Sequence, residues 1–238
     1  VKFRNIDKNY FTYVFSDIHG MWDLYEQIKN HLNTGDHKAI FLGDACDRGE
    51  QGYMIMKDIL QNDNILYIKG NHEDMLMYYV DGRMKDPTPF LVNGGIEMLR
   101  SFIKGIDEEA VTHNAEILKT QFATEIDFLR NARHYYQYGK LLITHAGFDS
   151  TAENWQDTSE QDFLWIREHY LQPNQTGLIN IFGHTPTRNM HKIDDIWISP
   201  CQSYIGIDGG CAYGGQLNAL LISEQGEILE TFVEHSDK

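Results

Sequence analysis

Apolar positions along the first eighty residues switch regularly between two periods. Tyr10 to Ser16 is aromatic and β-branched, the composition of a buried strand. Leu24, Ile28 and Leu32 then recur four apart, which predicts a helix, and Gly35 suits a position just past its end. Ala39 to Leu42 predicts a second strand, and Tyr53, Ile55, Met56, Ile59 and Leu60 a second helix. Ile65 to Ile68 gives a third strand, followed by a helix with Met75, Leu76 and Tyr79. Strands and helices alternating at this spacing imply βαβ units with parallel pairing. From 81 to 137 the pattern is mostly helical, interrupted at Asn93-Gly94-Gly95, with Ile117, Leu118, Phe122, Ile126 and Leu129 at rough helical spacing. Leu141 to Thr144 and Leu178 to Phe182 read as strands. From Ile193 to Val233 short strands alternate with turns at Asp194-Asp195, Gly209-Gly210 and Gln225-Gly226, which predicts hairpins. No repeat or Pro/Gly/Ser-rich linker divides the chain. The expectation is one α/β domain over residues 1–238: two packed sheets flanked by helices, with a mostly helical insertion at about 81–137.

Composition narrows the functions. A chain of 238 residues buries a core without disulfide support. With 35 acidic and 20 basic residues its formal charge is −15, so it repels phosphate backbones and anionic bilayers alike; neither nucleic acid nor membrane is an expected partner. No apolar run approaches the roughly 18 residues of a membrane span. Val1 to Asp7 lacks the apolar stretch of a signal peptide, and Cys46, Cys201 and Cys211 are odd in number and far apart. Both features predict a reducing, cytoplasmic setting.

Location decides the chemistry. Five of the predicted strands are each followed at once by a polar cluster: Ser16-Asp17-Ile18-His19-Gly20, Gly43-Asp44-Ala45-Cys46-Asp47-Arg48-Gly49, Gly70-Asn71-His72-Glu73-Asp74, Thr144-His145-Ala146-Gly147 and Gly183-His184-Thr185-Pro186. Ligands of open α/β sheets bind outside the carboxyl ends of the strands, where residues distant in sequence converge. Two Asp, one Asn and three His form an oxygen/nitrogen donor set suited to Mn, Fe or Zn. Six side chains are too many for one catalytic metal that keeps open positions; they suit two metals sharing a carboxylate, with Asp44 in the middle cluster as the natural bridge. Asp47, Arg48 and His72 are then left for other work. Arg48 offers a planar fork for phosphate oxygens, and His72, oriented by Asp47, can protonate a leaving alkoxide.

The five clusters match in order the motifs of the phosphoprotein phosphatases within the calcineurin-like metallophosphoesterases. GDxxDRG followed by GNHE is the specific part, and the chain most resembles the compact bacterial and lambda-phage members over about residues 13 to 217. The resemblance implies an αββα sandwich of mixed sheets. It implies that Asp17, His19 and Asp44 bind one divalent ion and that Asp44, Asn71, His145 and His184 bind the other, most readily Mn2+, with Fe, Zn or Ni as alternatives. His72 becomes the general acid paired with Asp47, and Arg48 and Asn71 hold phosphate. Phe163 to Glu168 resembles a Trp-x-Arg segment, which makes Arg167 a second phosphate clamp. Tyr213 resembles a tyrosine overhanging the site. The implied activity is hydrolysis of serine/threonine phosphomonoesters in a phosphoprotein or phosphopeptide, by in-line attack of a metal-bridging hydroxide. Two departures matter. Ser16 stands where Gly is usual, which implies a small local adjustment. Asp208 to Gly215 resembles the ending of bacterial diadenosine tetraphosphate hydrolases, so a dinucleoside polyphosphate is the alternative substrate. Asp47 and Glu73 speak against the symmetrical members of that group and leave the asymmetrical ones closer.

Outside the clusters the expectations are plainer. His31, His37, His113, His134, His169, His191 and His235 lack a motif and read as surface or structural. Met54, Met56, Met75 and Met77 read as core, Glu108-Glu109 as solvated helix, and Cys46 as a buried inert thiol.

Overall fold

The computed structural model describes residues 11–33, 38–107 and 110–235. Tyr10, Gly35, His37 and Glu108-Glu109 lie outside the described residues. Two five-stranded mixed sheets face each other with helices outside. In the first half β1 (Thr12–Phe15), α1 (Trp22–Asn33), β2 (Lys38–Phe41), α2 (Gly52–Gln61), β3 (Ile65–Tyr67) and α3 (Asn71–Val80) alternate as the hydrophobic pattern predicts. Pairing of β1 with β2, and of β2 with β3, is parallel. The helical stretch follows as α4 (Thr88–Phe90), α5 (Ile96–Phe102), α6 (Val111–Gln121) and α7 (Ala123–Arg130). The second sheet begins with β4 (Tyr135–Tyr138) and β5 (Leu141–Thr144). After α8 (Glu160–Trp165) it continues with β6 (Ile179–Phe182), and after α9 (Arg188–His191) with β7 (Trp197–Ile198) and β8 (Tyr204–Gly206). The chain then returns to the first sheet as β9 (Gln216–Ile222) and β10 (Ile228–His235). The sheet orders are β10-β9-β1-β2-β3 and β4-β5-β6-β8-β7.

Strands buried on both faces read as continuous apolar runs, and their alternate residues divide between layers. Tyr13 and Phe15 of β1 pack toward the helices, whereas Val14 joins Ile40, Leu66, Ile143, Ile181 and Leu220 between the sheets. Leu142 and Phe182 face outward into a third cluster with Phe148, Phe163 and Tyr204. Each such side chain contributes about 1.5–3 kcal/mol by leaving water.

Three expectations need correction. Tyr135–Tyr138 is a strand, antiparallel to β5 with alternating exposure, so the helical segment ends at Arg130. Its aromatic run hid a period of two behind the helix before it. Gly209-Gly210 is no hairpin turn: it lies where the chain crosses from β8 in the second sheet to β9 in the first. The hairpin at Gln225-Gly226 does form, between β9 and β10. Met54 is 46 % exposed, because Ile55, Met56 and Ile59 already fill the buried face of α2.

Candidate metal centre

The carboxyl ends of β1, β2 and β3 in one sheet, and of β5 and β6 in the other, open onto the same edge of the sandwich. Past the strand ends the loops continue to pair. Asp17 N–H donates to the Gly43 carbonyl (3.1 Å), His19 N–H to Asp44 (2.9 Å), and Gly183 N–H to His145 (2.8 Å). The loops therefore hold each other by backbone bonds and turn their side chains inward. The turning has a conformational cost. Asp17, His19, Asp44, Asp47, Arg48 and His184 all have φ between 48 and 66°, a left-handed region that costs a non-glycine residue about 1–2 kcal/mol. Close approach also fixes Gly70, since a Cβ there would lie 2.1 Å from Asp44 Oδ1.

Glu73, fully buried in the first turn of α3, anchors two of these loops. Its Oε1 accepts from the Ala45 (3.0 Å) and Cys46 (3.2 Å) amides, and its Oε2 from those of Asp44 (2.9 Å) and Gly70 (2.8 Å). Burial alone would raise this carboxyl, but the bonds from Cys46, Asp44 and Gly70 outweigh burial and hold it below the usual carboxylate range.

The imidazoles are oriented so that they could hold a metal ion. His145 Nδ1 lies 2.6 Å from the Leu42 carbonyl, and a carbonyl only accepts, so Nδ1 carries the proton and Nε2 the lone pair. That lone pair faces Asn71 Oδ1 at 2.9 Å and Asp44 Oδ2 at 3.6 Å. His19 repeats the logic: Nδ1 donates to the Cys46 carbonyl (2.9 Å), and Nε2 lies 3.6 Å from Asp44 Oδ2. His184 Nδ1 is 2.9 Å from Asn71 Oδ1, while its buried Nε2 has no hydrogen-bond partner. Acceptors converging on acceptors are stabilised by a cation, not by hydrogen bonds. Donors that share one transition-metal ion sit about 3–3.5 Å apart, close to these separations. Two groups, His19-Asp44-His72 and Asp44-His145-His184, bring their donor atoms within 4.8 Å of one another, and Asp44 belongs to both. The residues present fit a pair of divalent metals.

Electrostatics agree with that fit. Burial, the dominant cause, pushes Asp17 up to about 6 and Asp44 up to about 7. It also pushes Asp47 and Asp208 well above the carboxylate range, with Glu73 adding to the first and Asp17 to the second. Burial holds His19 and His184 well below the ordinary imidazole value, so both are neutral as ligands must be. Three buried carboxyls on one cavity, Asp17, Asp44 and Asp208, with Asp47 beneath it, need positive charge before they can all ionise.

Around this centre lies a cleft of about 280 Å³ lined by Asp17, His19, Asp44, Asn71, His72, His184, Arg48, Arg167 and Tyr213. His145 and Asp47 are fully buried beneath it. Asp17 stands in neither three-residue group; its carboxylate accepts from the His184 amide at 3.0 and 3.2 Å. His72 Nδ1 meets Asp47 Oδ2 at 2.5 Å, and burial, with Arg48 nearby, lowers the His72 pKa. Arg48 donates to His19 Nε2 and, at 3.1 Å, to His72 Nε2, and its guanidinium lies 4.6 Å from the centre of the Tyr213 ring. Arg167 rests on Thr185 Oγ1 (3.2 Å) at the cleft wall. Sequence reasoning assigned no site role to Asp208, Trp165, Asn93 or Pro186 and read Met75 as core; all five also line the cleft. Asp208 follows β8 as the other clusters follow their strands, a signal masked by the reading of its neighbours as a hairpin.

Known proteins share this fold. A crystal structure of a candidate diadenosine tetraphosphatase superposes with TM-score 0.64 at 16% identity, covering 96% of each chain. A serine/threonine phosphatase of Saccharomyces cerevisiae gives TM-score 0.59 at 12% identity, over 97% of this chain and 81% of that one. These likenesses concern the fold. In sequence, the asymmetrical bis(5'-nucleosyl)-tetraphosphatase PrpE of Anoxybacillus flavithermus is 26% identical over 245 residues, 89% of this chain and 90% of that protein. Residues 12–207 match the calcineurin-like phosphoesterases, a span that runs from β1 past β8 and takes in all five strand-end clusters; the chain belongs to that family of hydrolases.

Proposed function

We propose that this protein hydrolyses a phosphoanhydride bond of a dinucleoside polyphosphate asymmetrically, releasing AMP and ATP from diadenosine tetraphosphate. The similarity to an asymmetrical tetraphosphatase along almost the whole of both chains carries the reading. Two divalent ions held by Asp17, His19, Asp44, Asn71, His145 and His184, Mn2+ first among them with Fe, Zn or Ni as alternatives, would acidify the attacking water and offset the charge on phosphate. The chain's own groups do the rest. Arg48 and Arg167 approach the cleft from different loops and bind phosphate oxygens, drawing a polyanion to a protein of net charge −15. Asn71 opens α3, so the positive end of the helix dipole adds to the field at the phosphate. His72 turns Nε2 to the cleft because Asp47 holds its Nδ1. Once Nε2 is protonated and turned from Arg48 to the substrate, it delivers a proton to the leaving oxygen. Three free cysteines, two of them buried, suit a reducing cytoplasm.

The Asp47-His72 pair favours a second reading, a serine/threonine phosphatase. A seryl alkoxide leaves only when protonated, whereas ATP leaves readily as an anion. Enzyme stripped of metal and reloaded with Mn2+ is assayed on diadenosine tetraphosphate and on a phosphoserine peptide. Faster formation of AMP plus ATP is expected. Two ADP would overturn the asymmetrical cut, and faster peptide dephosphorylation would give the second reading the place of the first.

A further inference from the structure

A second cavity, of about 370 Å³, adjoins the metal cleft and shares Arg48, Asn93 and Tyr213 with it. Its remaining wall includes Val92, Gly94 and Glu97, from the helical segment between β3 and β4. Val92 is 72 % exposed and the Tyr213 ring 60 %, a large apolar side chain and an aromatic ring left to solvent at the rim of a charged site. The turn carrying Val92 is keyed to the phosphate clamp. Arg48 N–H donates to the Gly94 carbonyl at 3.3 Å, Gly94 has φ 105°, and a Cβ there would meet Arg48 N at 2.3 Å. Only glycine permits this approach, so the shelf and the arginine keep a fixed relation. The wall thus combines the Arg48 fork, the Tyr213 ring beside it, Val92 and Glu97. Glu97 also faces Arg100 at 3.6 Å, a surface pair that leaves it acceptor capacity.

We propose that this shelf is a nucleobase subsite, selective for bases with an exocyclic amine. Phosphate is repelled by Glu97 and held by Arg48, which fixes the direction of a bound nucleotide. The base stacks on Tyr213 against Val92, and Glu97 accepts from its amine, a contact adenine makes and uracil cannot. The inference rests on the proposed tetraphosphatase activity and explains its asymmetry. Arg48 lines both cavities, so with the base on the shelf it holds the adjoining α-phosphate, and the α-phosphorus is the one attacked. The bond from that phosphorus to the bridging oxygen breaks, the bridging oxygen departs with ATP, the oxygen of water completes AMP, and the two hydrogens of water leave as protons once both products are fully ionised.

Calorimetric titration of the Mn2+-loaded protein with AMP, UMP and ribose 5-phosphate tests the shelf apart from turnover. AMP is expected to bind about tenfold tighter than ribose 5-phosphate, the size of one base-stacking interaction. Val92→Asp, at an exposed position the fold tolerates, should abolish most of that difference, and Glu97→Gln should reduce the preference for AMP over UMP. Equal affinity for AMP and ribose 5-phosphate in the wild type would overturn the shelf, even if diadenosine tetraphosphate is cut to AMP and ATP. An intact AMP preference without asymmetric cleavage would support the shelf and remove the proposed activity instead.

Discussion

Replacing Glu73 by glutamine removes one negative charge and one acceptor while keeping the shape of the side chain. Each carboxylate oxygen of Glu73 serves two backbone amides. The glutamine oxygen keeps one pair, and its NH2 group turns toward the other pair, donor against donor. Hydrogen bonds to a charged acceptor contribute about 1.5–3 kcal/mol each, so losing two costs about 3–6 kcal/mol. The side chain is fully buried, and no water replaces the lost acceptor. Because these amides hold the loop that carries Asp44, Asp47 and Arg48, the variant should also bind Mn2+ more weakly. Urea unfolding with chelator and Mn2+ calorimetry are the two assays. The sign of the pH effect is a further check. A carboxyl held below its ordinary 4.5 stabilises the fold above that pH and loses the contribution as pH falls through its folded value, so wild type and variant should converge in acid. A stability loss under about 1 kcal/mol together with unchanged Mn2+ affinity would refute the reasoning.

Three other outcomes follow from the site. Asp17 and Asp44, raised to about 6 and about 7, stabilise the metal-free fold fully below their ordinary 3.8 and lose that contribution as pH rises through the raised values; melting with EDTA should therefore be higher at pH 5 than at pH 8, and added Mn2+ should abolish or reverse the trend. His72→Asn should lower kcat on a phosphoserine peptide by about 10²–10⁴-fold, the usual contribution of a general acid, and on diadenosine tetraphosphate by much less; equal losses would remove the acid role. Gly70→Ala should yield a protein that no longer binds Mn2+ or does not fold, because its Cβ would lie 2.1 Å from Asp44 Oδ1, and wild-type Mn2+ affinity in circular-dichroism-verified folded protein would contradict the contact.

Much of this architecture was legible because local signals and burial coincide. The runs Tyr13–Phe15, Ala39–Phe41 and Ile65–Tyr67 are apolar on both faces, as strands of a covered parallel sheet must be, and a polar cluster begins where each run stops. The converging residues Asp17, Asp44, Asn71, His145 and His184 were readable for the same reason: a strand-end position states its own location. Long-range crossing was not readable. Nothing local in Asp208-Gly209-Gly210 says that the chain changes sheets there, so Asp208 and the wall it completes were missed. Nor did Tyr135-Tyr136-Gln137-Tyr138 declare itself, since its pairing with β5 lies in the partner strand and not in its own composition. Glu73 showed only as the last residue of the GNHE motif; its four amide partners depend on the meeting of two loops.

The left-handed backbone at Asp17, His19, Asp44, Asp47, Arg48 and His184 bears on how this protein responds to selection. At about 1–2 kcal/mol apiece the six positions sum to about 6–12 kcal/mol, as large as the net stability of a typical domain. Glycine at any of them would relax the chain and remove a side chain that the proposed chemistry uses. Laboratory evolution toward heat resistance alone would drift to glycine at these sites and yield sturdy, inert proteins. Screening for thermal tolerance with Mn2+ present and turnover required would select compensating changes elsewhere, in the interior between the sheets and on the outer helices.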